Sequence, residues 1–182
     1  MGQGIEMRLL VTILTFVTSL SLGQSEKVEC LDSPDKLELF NRQIKYSKPE
    51  QIKSTDNFLK DTIYLQVDLT KRVKYDYLIR GIQILIVNTT DSELTFSDDG
   101  VLELLCQAKN SKGEWVDIEG RKMPWNCSGK TMTLSKQSYY KAVVPCYKGT
   151  VQAEMRYRFA VSDKVFYSGI FWGTINEGQL KN

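Results

Sequence analysis

Glu154-Met155-Arg156-Tyr157-Arg158-Phe159-Ala160-Val161 alternates apolar side chains with charged or small ones at a period of two. Successive side chains of an extended strand point to opposite faces. Met155, Tyr157, Phe159 and Val161 therefore share a core face, and Glu154, Arg156, Arg158 and Ala160 share the wet one. A helix would repeat every three to four residues, and no such pattern runs here. This is the cleanest amphipathic strand of the chain. Ser162-Asp163 then supplies a turn. Val165 to Ile175 is predicted as a single last strand, apolar on both faces through Phe166, Tyr167, Ile170, Phe171 and Trp172, with Trp172 in the core.

Toward the N-terminus the same grammar recurs. Tyr139 to Val144 is predicted as a strand ended by Pro145, and Thr131 to Leu134 as a short one. Trp115 to Ile118 returns from the loop Asn110-Ser111-Lys112-Gly113. Leu102, Leu104, Cys106 and Ala108 point one way, and Glu103, Gln107 and Lys109 mostly the other. Leu94 and Phe96 start a strand that the turn cluster Asp98-Asp99-Gly100 ends. Leu78 to Val87, with Ile82, Ile84 and Ile86, is almost wholly apolar and predicts a central strand. Ile63, Leu65, Val67 and Leu69 alternate with Tyr64, Gln66, Asp68 and Thr70. Short strands at this spacing, with turn residues between them, predict an all-β chain: a sandwich or a barrel.

Residues 24–60 are polar and weakly patterned, and are predicted as an irregular N-terminal arm against a β-sandwich domain spanning 61–182. The arm holds turn signals at Ser33-Pro34-Asp35 and Lys48-Pro49-Glu50, a short strand around Leu37, Leu39 and Ile44, and a helical turn within Glu50 to Lys60.

Residues 1–23 read as a secretory signal peptide. Arg8 is the positive start and Leu9 to Val17 the apolar run. Ser21 and Gly23 are the small residues before a cleavage site. Met7 offers a second possible start. The run is short for a spanning helix and broken by threonines, so no membrane span is expected after signal removal. The expected location is secreted, periplasmic or extracellular.

An exported chain with Cys30, Cys106, Cys127 and Cys146 is expected to form disulfides. Four cysteines allow three connectivities. The short loop between Cys127 and Cys146 favours that bridge, leaving Cys30 for Cys106 and no free thiol. Asn88-Thr89-Thr90 is a glycosylation sequon, which in a eukaryotic exporter would put Asn88 on the surface. Asn126-Cys127-Ser128 is a poorer one.

Of the 182 residues, 24 are Lys or Arg, 22 are Asp or Glu, and none is His. A near-balanced charge argues against a nucleic-acid partner. The missing histidine excludes Ser-His-Asp and Cys-His catalysis and His-ligated zinc. No Walker loop, GxGxxG or HExxH occurs, so no enzyme and no cofactor are expected. Asp98, Asp99 and Asp91 could feed calcium, but the calcium-loop pattern is absent and a plain turn is the expectation, with no metal.

Trp115 shares its phase with Asp117 and Glu119, while Val116 and Ile118 take the other face. Trp115 is therefore predicted to point outward, rimmed by acids, able to stack on a sugar or anchor a protein. Trp125, in the turn-like Met123-Pro124-Trp125-Asn126, is a second candidate for exposure, and whether the two stand side by side is left to the structure. Arg156 and Arg158 with Lys141 and Lys148 could form a basic stripe.

The C-terminal half carries Trp115, Pro145-Cys146-Tyr147-Lys148-Gly149, Arg156 and Tyr167-Ser168-Gly169-Ile170-Phe171-Trp172-Gly173-Thr174-Ile175-Asn176. Over about the last hundred residues it resembles uncharacterised exported bacterial proteins with a single immunoglobulin-like β-sandwich. The resemblance implies an antiparallel sandwich and carries no activity or site. The expected function is an exported, non-catalytic module with a protein or glycan partner, its ligand contacts drawn from Trp115, Trp125 and Asp117. The alternatives are an envelope assembly subunit that pairs through an edge strand, or a hydrolase with paired carboxylates.

Overall fold

The structure is a computed structural model and describes residues 30–31, 45–75, 79–98, 103–119, 130–161 and 163–180. Strands dominate, as the period of two requires. They are β1 (Lys45–Tyr46), β2 (Glu50–Gln51), β3 (Ile63–Lys74), β4 (Arg80–Asn88), β5 (Leu94–Asp98), β6 (Glu103–Lys109), β7 (Trp115–Asp117), β8 (Lys130–Leu134), β9 (Ser138–Pro145), β10 (Val151–Val161), β11 (Lys164–Tyr167) and β12 (Phe171–Ile175). Among the described residues the one helical element is a 3₁₀ turn at Glu177–Leu180.

Two five-stranded sheets form, and every named strand pair is antiparallel. The first runs β1-β9-β4-β3, with β2 also on β9. The second runs β11-β10-β6-β7, with β12 also on β10. β5 and β8 make a separate pair. The isoleucine-rich run becomes β4, flanked on both sides by β9 and β3. Ile82, Ile84, Ile86, Tyr140, Ala142 and Val144 from the first sheet share one core with Leu104, Cys106, Ala108, Met155, Tyr157 and Phe159 from the second. Phe96 meets Phe159 edge-on at 5.8 Å and Tyr140 at 6.4 Å, the geometry ring quadrupoles favour. Each large side chain buried this way contributes about 1.5–3 kcal/mol.

Two glycines of the C-terminal motif are there for space. A Cβ on Gly149 would lie 2.0 Å from the Ile175 carbonyl carbon, and one on Gly173 2.3 Å from Met155 Sδ. Both let β12 close tightly on its neighbours.

Several expectations change. The bridge is Cys30–Cys146, not Cys127–Cys146 with Cys30–Cys106, and Cys106 is a free buried thiol. Cys106 belongs to the inward phase of β6, so the sheet core takes it. Cys30 instead reaches β9, because Leu31 runs parallel to Tyr147, its N–H donating to Cys146 O at 2.8 Å while its carbonyl accepts from Lys148 N–H at 2.7 Å. Cys127 lies outside the described residues. The stretch Glu50 to Lys60 holds strand β2 and a turn rather than a helical turn, and β1 and β2 add to the edge of the first sheet. Leu37, Leu39 and Ile44 fall outside the described residues. The predicted last strand is two strands, β11 and β12, broken at Ser168–Ile170. Asn88 is fully buried: its Nδ2 donates to the carbonyls of Ser92, Leu134 and Ser135 at 2.8, 3.2 and 3.1 Å. The sequon is thus an internal corner rather than a surface site.

Candidate functional site

The even-numbered phase of β10 faces outward and builds the most elaborate surface of the described residues. Register decides its neighbours. Arg156 lies opposite Gln107 on β6, Gln107 lies opposite Asp117 on β7, and Lys109 lies opposite Trp115. On the other side Arg158 lies opposite Tyr167, and Glu154 opposite Trp172. Arg156 falls where the β11–β12 edge is broken. Ser168 fills that break: its N–H donates to Tyr157 O at 2.9 Å and its Oγ accepts the Tyr157 N–H at 2.9 Å. Leu65 of β3 bridges to Ser168, joining the edges of the two sheets.

The guanidinium of Arg156 is held between two rings, its carbon 4.2 Å from the Trp115 centroid and 3.9 Å from that of Tyr167. Such contacts stabilise by about 0.5–2 kcal/mol each, more as water is excluded. Its Nε donates to Gln107 Oε1 at 2.9 Å, and Gln107 Nε2 donates to Asp117 Oδ1 at 2.8 Å. Arg158 Nη2 lies 3.5 Å from Asp117 Oδ2. Lys109 Nζ pairs with Glu154 at 2.9 Å and sits 5.8 Å from the Trp115 ring. The two acids of this network are therefore engaged, while the terminal nitrogens of Arg156 meet no carboxylate among the described residues.

Beside this network lies apolar surface. Trp172 is 63% exposed, Ile170 59%, Tyr167 45% and Val165 44%. Val165, Tyr167 and Trp172 pair with Ala160, Arg158 and Glu154, so all three stand on the same outer face.

The predicted residues fare unequally. Trp115 points outward as its phase required, but it is only half-exposed and Arg156 covers a ring face. Asp117 lies on the same face, as an internal acceptor rather than an open acid. Trp125 lies outside the described residues. Trp172, predicted in the core, is the most exposed ring of the face. Ser168–Ile170 inserts an odd number of residues, so the outward phase passes from Val165 and Tyr167 to Trp172 and Thr174. The basic stripe divides: Arg156 and Arg158 stand on the second sheet, whereas Lys141 pairs with Glu50 at the edge of the first. Asp117 and Glu119 also part, since Glu119 accepts from the buried Tyr147 hydroxyl. Asp98 ends β5 opposite Lys130, and Asp99 and Gly100 lie outside the described residues.

Between β3 and β12 a cavity of about 80 Å³ opens onto Leu69, Arg72, Tyr157, Trp172 and Thr174. The Tyr157 hydroxyl has no nitrogen or oxygen partner and neighbours the Cys106 thiol. Burial pushes both groups well above their ordinary pKa values, which keeps them neutral and makes the thiol a poor nucleophile. No group of metal-binding side chains assembles among the described residues, and none of their helices is long and apolar enough to cross a membrane.

No protein family, curated protein or solved structure matches this chain.

Proposed function

We propose that the chain is an exported, non-catalytic module with an immunoglobulin-like β-sandwich, and that it binds a protein partner outside the cell or at its surface. The observation that carries this is the outer face of the second sheet, where Trp172, Ile170, Tyr167 and Val165 lie open around a fixed arginine. Apolar surface left in water is costly, and a contiguous patch of it marks an interaction site. Trp, Tyr and Arg are also the residues that dominate protein–protein hot spots.

A protein fits better than a glycan. Sugar recognition needs a bare ring face flanked by free polar acceptors. Here Trp172 keeps an open ring, but Glu154 opposite it pairs with Lys109 and Asp117 with Gln107 and Arg158, while Trp115 gives a ring face to Arg156. The aliphatic Val165 and Ile170 add area that a sugar would not use. Export is supported by the leader pattern in residues 1–23 and by the Cys30–Cys146 bridge, a kind of bond common in oxidising compartments and rare in reducing ones.

A photo-crosslinking residue placed at Trp172, against one at the equally exposed Leu59, tests the reading. The expected result is a discrete adduct with one polypeptide from position 172 alone, lost on adding Tyr167→Ser. Equal adducts from both positions, or adducts with polysaccharide only, would overturn it.

A further inference from the structure

We infer that Arg156 is a carboxylate receptor at the centre of the binding face, and that the partner segment presents an Asp or Glu side chain flanked by apolar residues. The inference rests on the protein-binding reading of this face and names the chemistry the face selects.

An arginine side chain in water samples many rotamers, and ordering one costs up to about 2 kcal/mol. In Arg156 that ordering is complete before any partner arrives. The Trp115 and Tyr167 rings both lie against the guanidinium, 4.2 and 3.9 Å from its carbon, and Gln107 fixes its Nε edge. The direction left open is the edge carrying the two terminal nitrogens. A planar, rigid pair of N–H donors matches the two oxygens of a carboxylate. Among the described residues no such group is free for it: Asp117 is bonded to Gln107 and placed against Arg158, and Glu154 is paired with Lys109. The positive charge at the centre of the face is therefore uncompensated from within, and the rings beside it lower the local dielectric, which strengthens any incoming ion contact.

Charge complementarity also separates the partner from a second copy of this chain. A two-fold interface sets each patch against itself. Self-pairing through this face would offer Arg156 only acids that already hold a partner, Asp117 and Glu154, among the described residues, so its charge would meet no free carboxylate. A foreign acidic side chain, with an apolar neighbour to cover Trp172 or Ile170, meets both demands of the surface.

The test uses the whole protein and two blocked dipeptides, N-acetyl-Asp-Phe-amide and N-acetyl-Asn-Phe-amide. They are titrated while the Arg156 Nε–H and the tryptophan indole signals are followed by NMR. The expected result is a saturable shift of the Arg156 signal with the Asp peptide, and binding about tenfold tighter than for the Asn peptide. Arg156→Gln should abolish that preference, and added salt should narrow it. Equal binding of the two peptides, or an unmoved Arg156 signal at saturation, would overturn the inference. If Arg156→Gln fails to fold, the comparison of peptides on the native chain still decides. Trp172→Ala separates the two claims. A loss of affinity for both peptides alike, with no Asp preference in the native chain, sinks the carboxylate role and leaves the face a binding surface. No effect of Trp172→Ala sinks the face itself.

Discussion

Asn88 shows how one side chain can carry a corner of the fold. Its Nδ2 serves three carbonyls, and its Oδ1 accepts from the Thr90 N–H at 3.0 Å and the Thr90 hydroxyl at 2.7 Å. These bonds hold the β4–β5 turn against the end of β8. Removing the amide takes a donor from the buried Leu134 carbonyl, a loss of about 1–3 kcal/mol, while the Ser92 and Ser135 carbonyls keep the Thr90 and Ser138 hydroxyls. Asn88→Ala is therefore expected to cost about 1–3 kcal/mol, and Asn88→Asp at least as much, since a carboxylate would face three carbonyl oxygens. Urea unfolding of the purified variants measures both. The same geometry leaves no room for a sugar on Nδ2. When the chain is passed through a eukaryotic secretory host, its folded fraction should carry no glycan at Asn88 by peptide mass spectrometry. From sequence the residue reads as a surface sequon, because the N-x-Thr pattern is local while the carbonyls that bury it come from positions about 46 residues away. Arg156 was opaque for the same reason. Its alternation phase gave its face, but the partners that hold it, Trp115 and Tyr167, are set by cross-strand register, which a periodicity does not contain.

At the level of elements, alternation was legible wherever a strand ran unbroken. β10 follows its inward and outward phases residue by residue, and β4 holds Ile82, Ile84 and Ile86 in the core. It failed at Ser168–Ile170, where the Ser168-Gly169 turn signal sits inside an otherwise apolar run and the interruption reversed the phase and sent Trp172 outward. It was also silent on β1 and β2, two-residue strands too short to show any period. Side chains hold β2 instead. The Tyr139 hydroxyl donates to Glu50 Oε2 at 2.7 Å, and Lys141 Nζ donates to Glu50 Oε1. Lys141 and Tyr139 draw the Glu50 pKa below the carboxylate range, and Glu50 in turn pushes the Tyr139 phenol up to about 12. The signs follow. The Glu50 contribution is present above its unfolded pKa and is lost as pH falls through the depressed folded value. The Tyr139 contribution is present below about 10, the ordinary phenol value, and is lost as pH rises through about 12. Ultraviolet titration of the phenolate band should show a late-ionising tyrosine that Glu50→Gln moves back toward the ordinary value. An unchanged titration would mean that Glu50 does not hold the β2 edge.

For the whole molecule, the oxidised Cys30–Cys146 bridge closes a loop of 116 residues that holds β1 to β9 and leaves β10, β11 and β12 outside it. The loop-entropy account assigns such a closure about 4–5 kcal/mol, drawn from restricting the unfolded chain. Cys146 belongs to the core cluster that both sheets share and Cys30 packs against it, but the strand ladders of the two sheets are made by other residues. The double variant Cys30→Ser/Cys146→Ser is therefore expected to keep its strand content by circular dichroism. Its unfolding midpoint should fall by roughly 10 °C or more, at about 2–4 °C per kcal/mol for a chain of this size. Cys106 gives an internal check on that experiment. Buried and uncharged, it should resist alkylation in the native protein, and in the double variant its labelling should track global unfolding. Rapid labelling of Cys106 in the folded double variant would show that the bridge also keeps the two sheets closed, and would move its role from the unfolded chain to the native one.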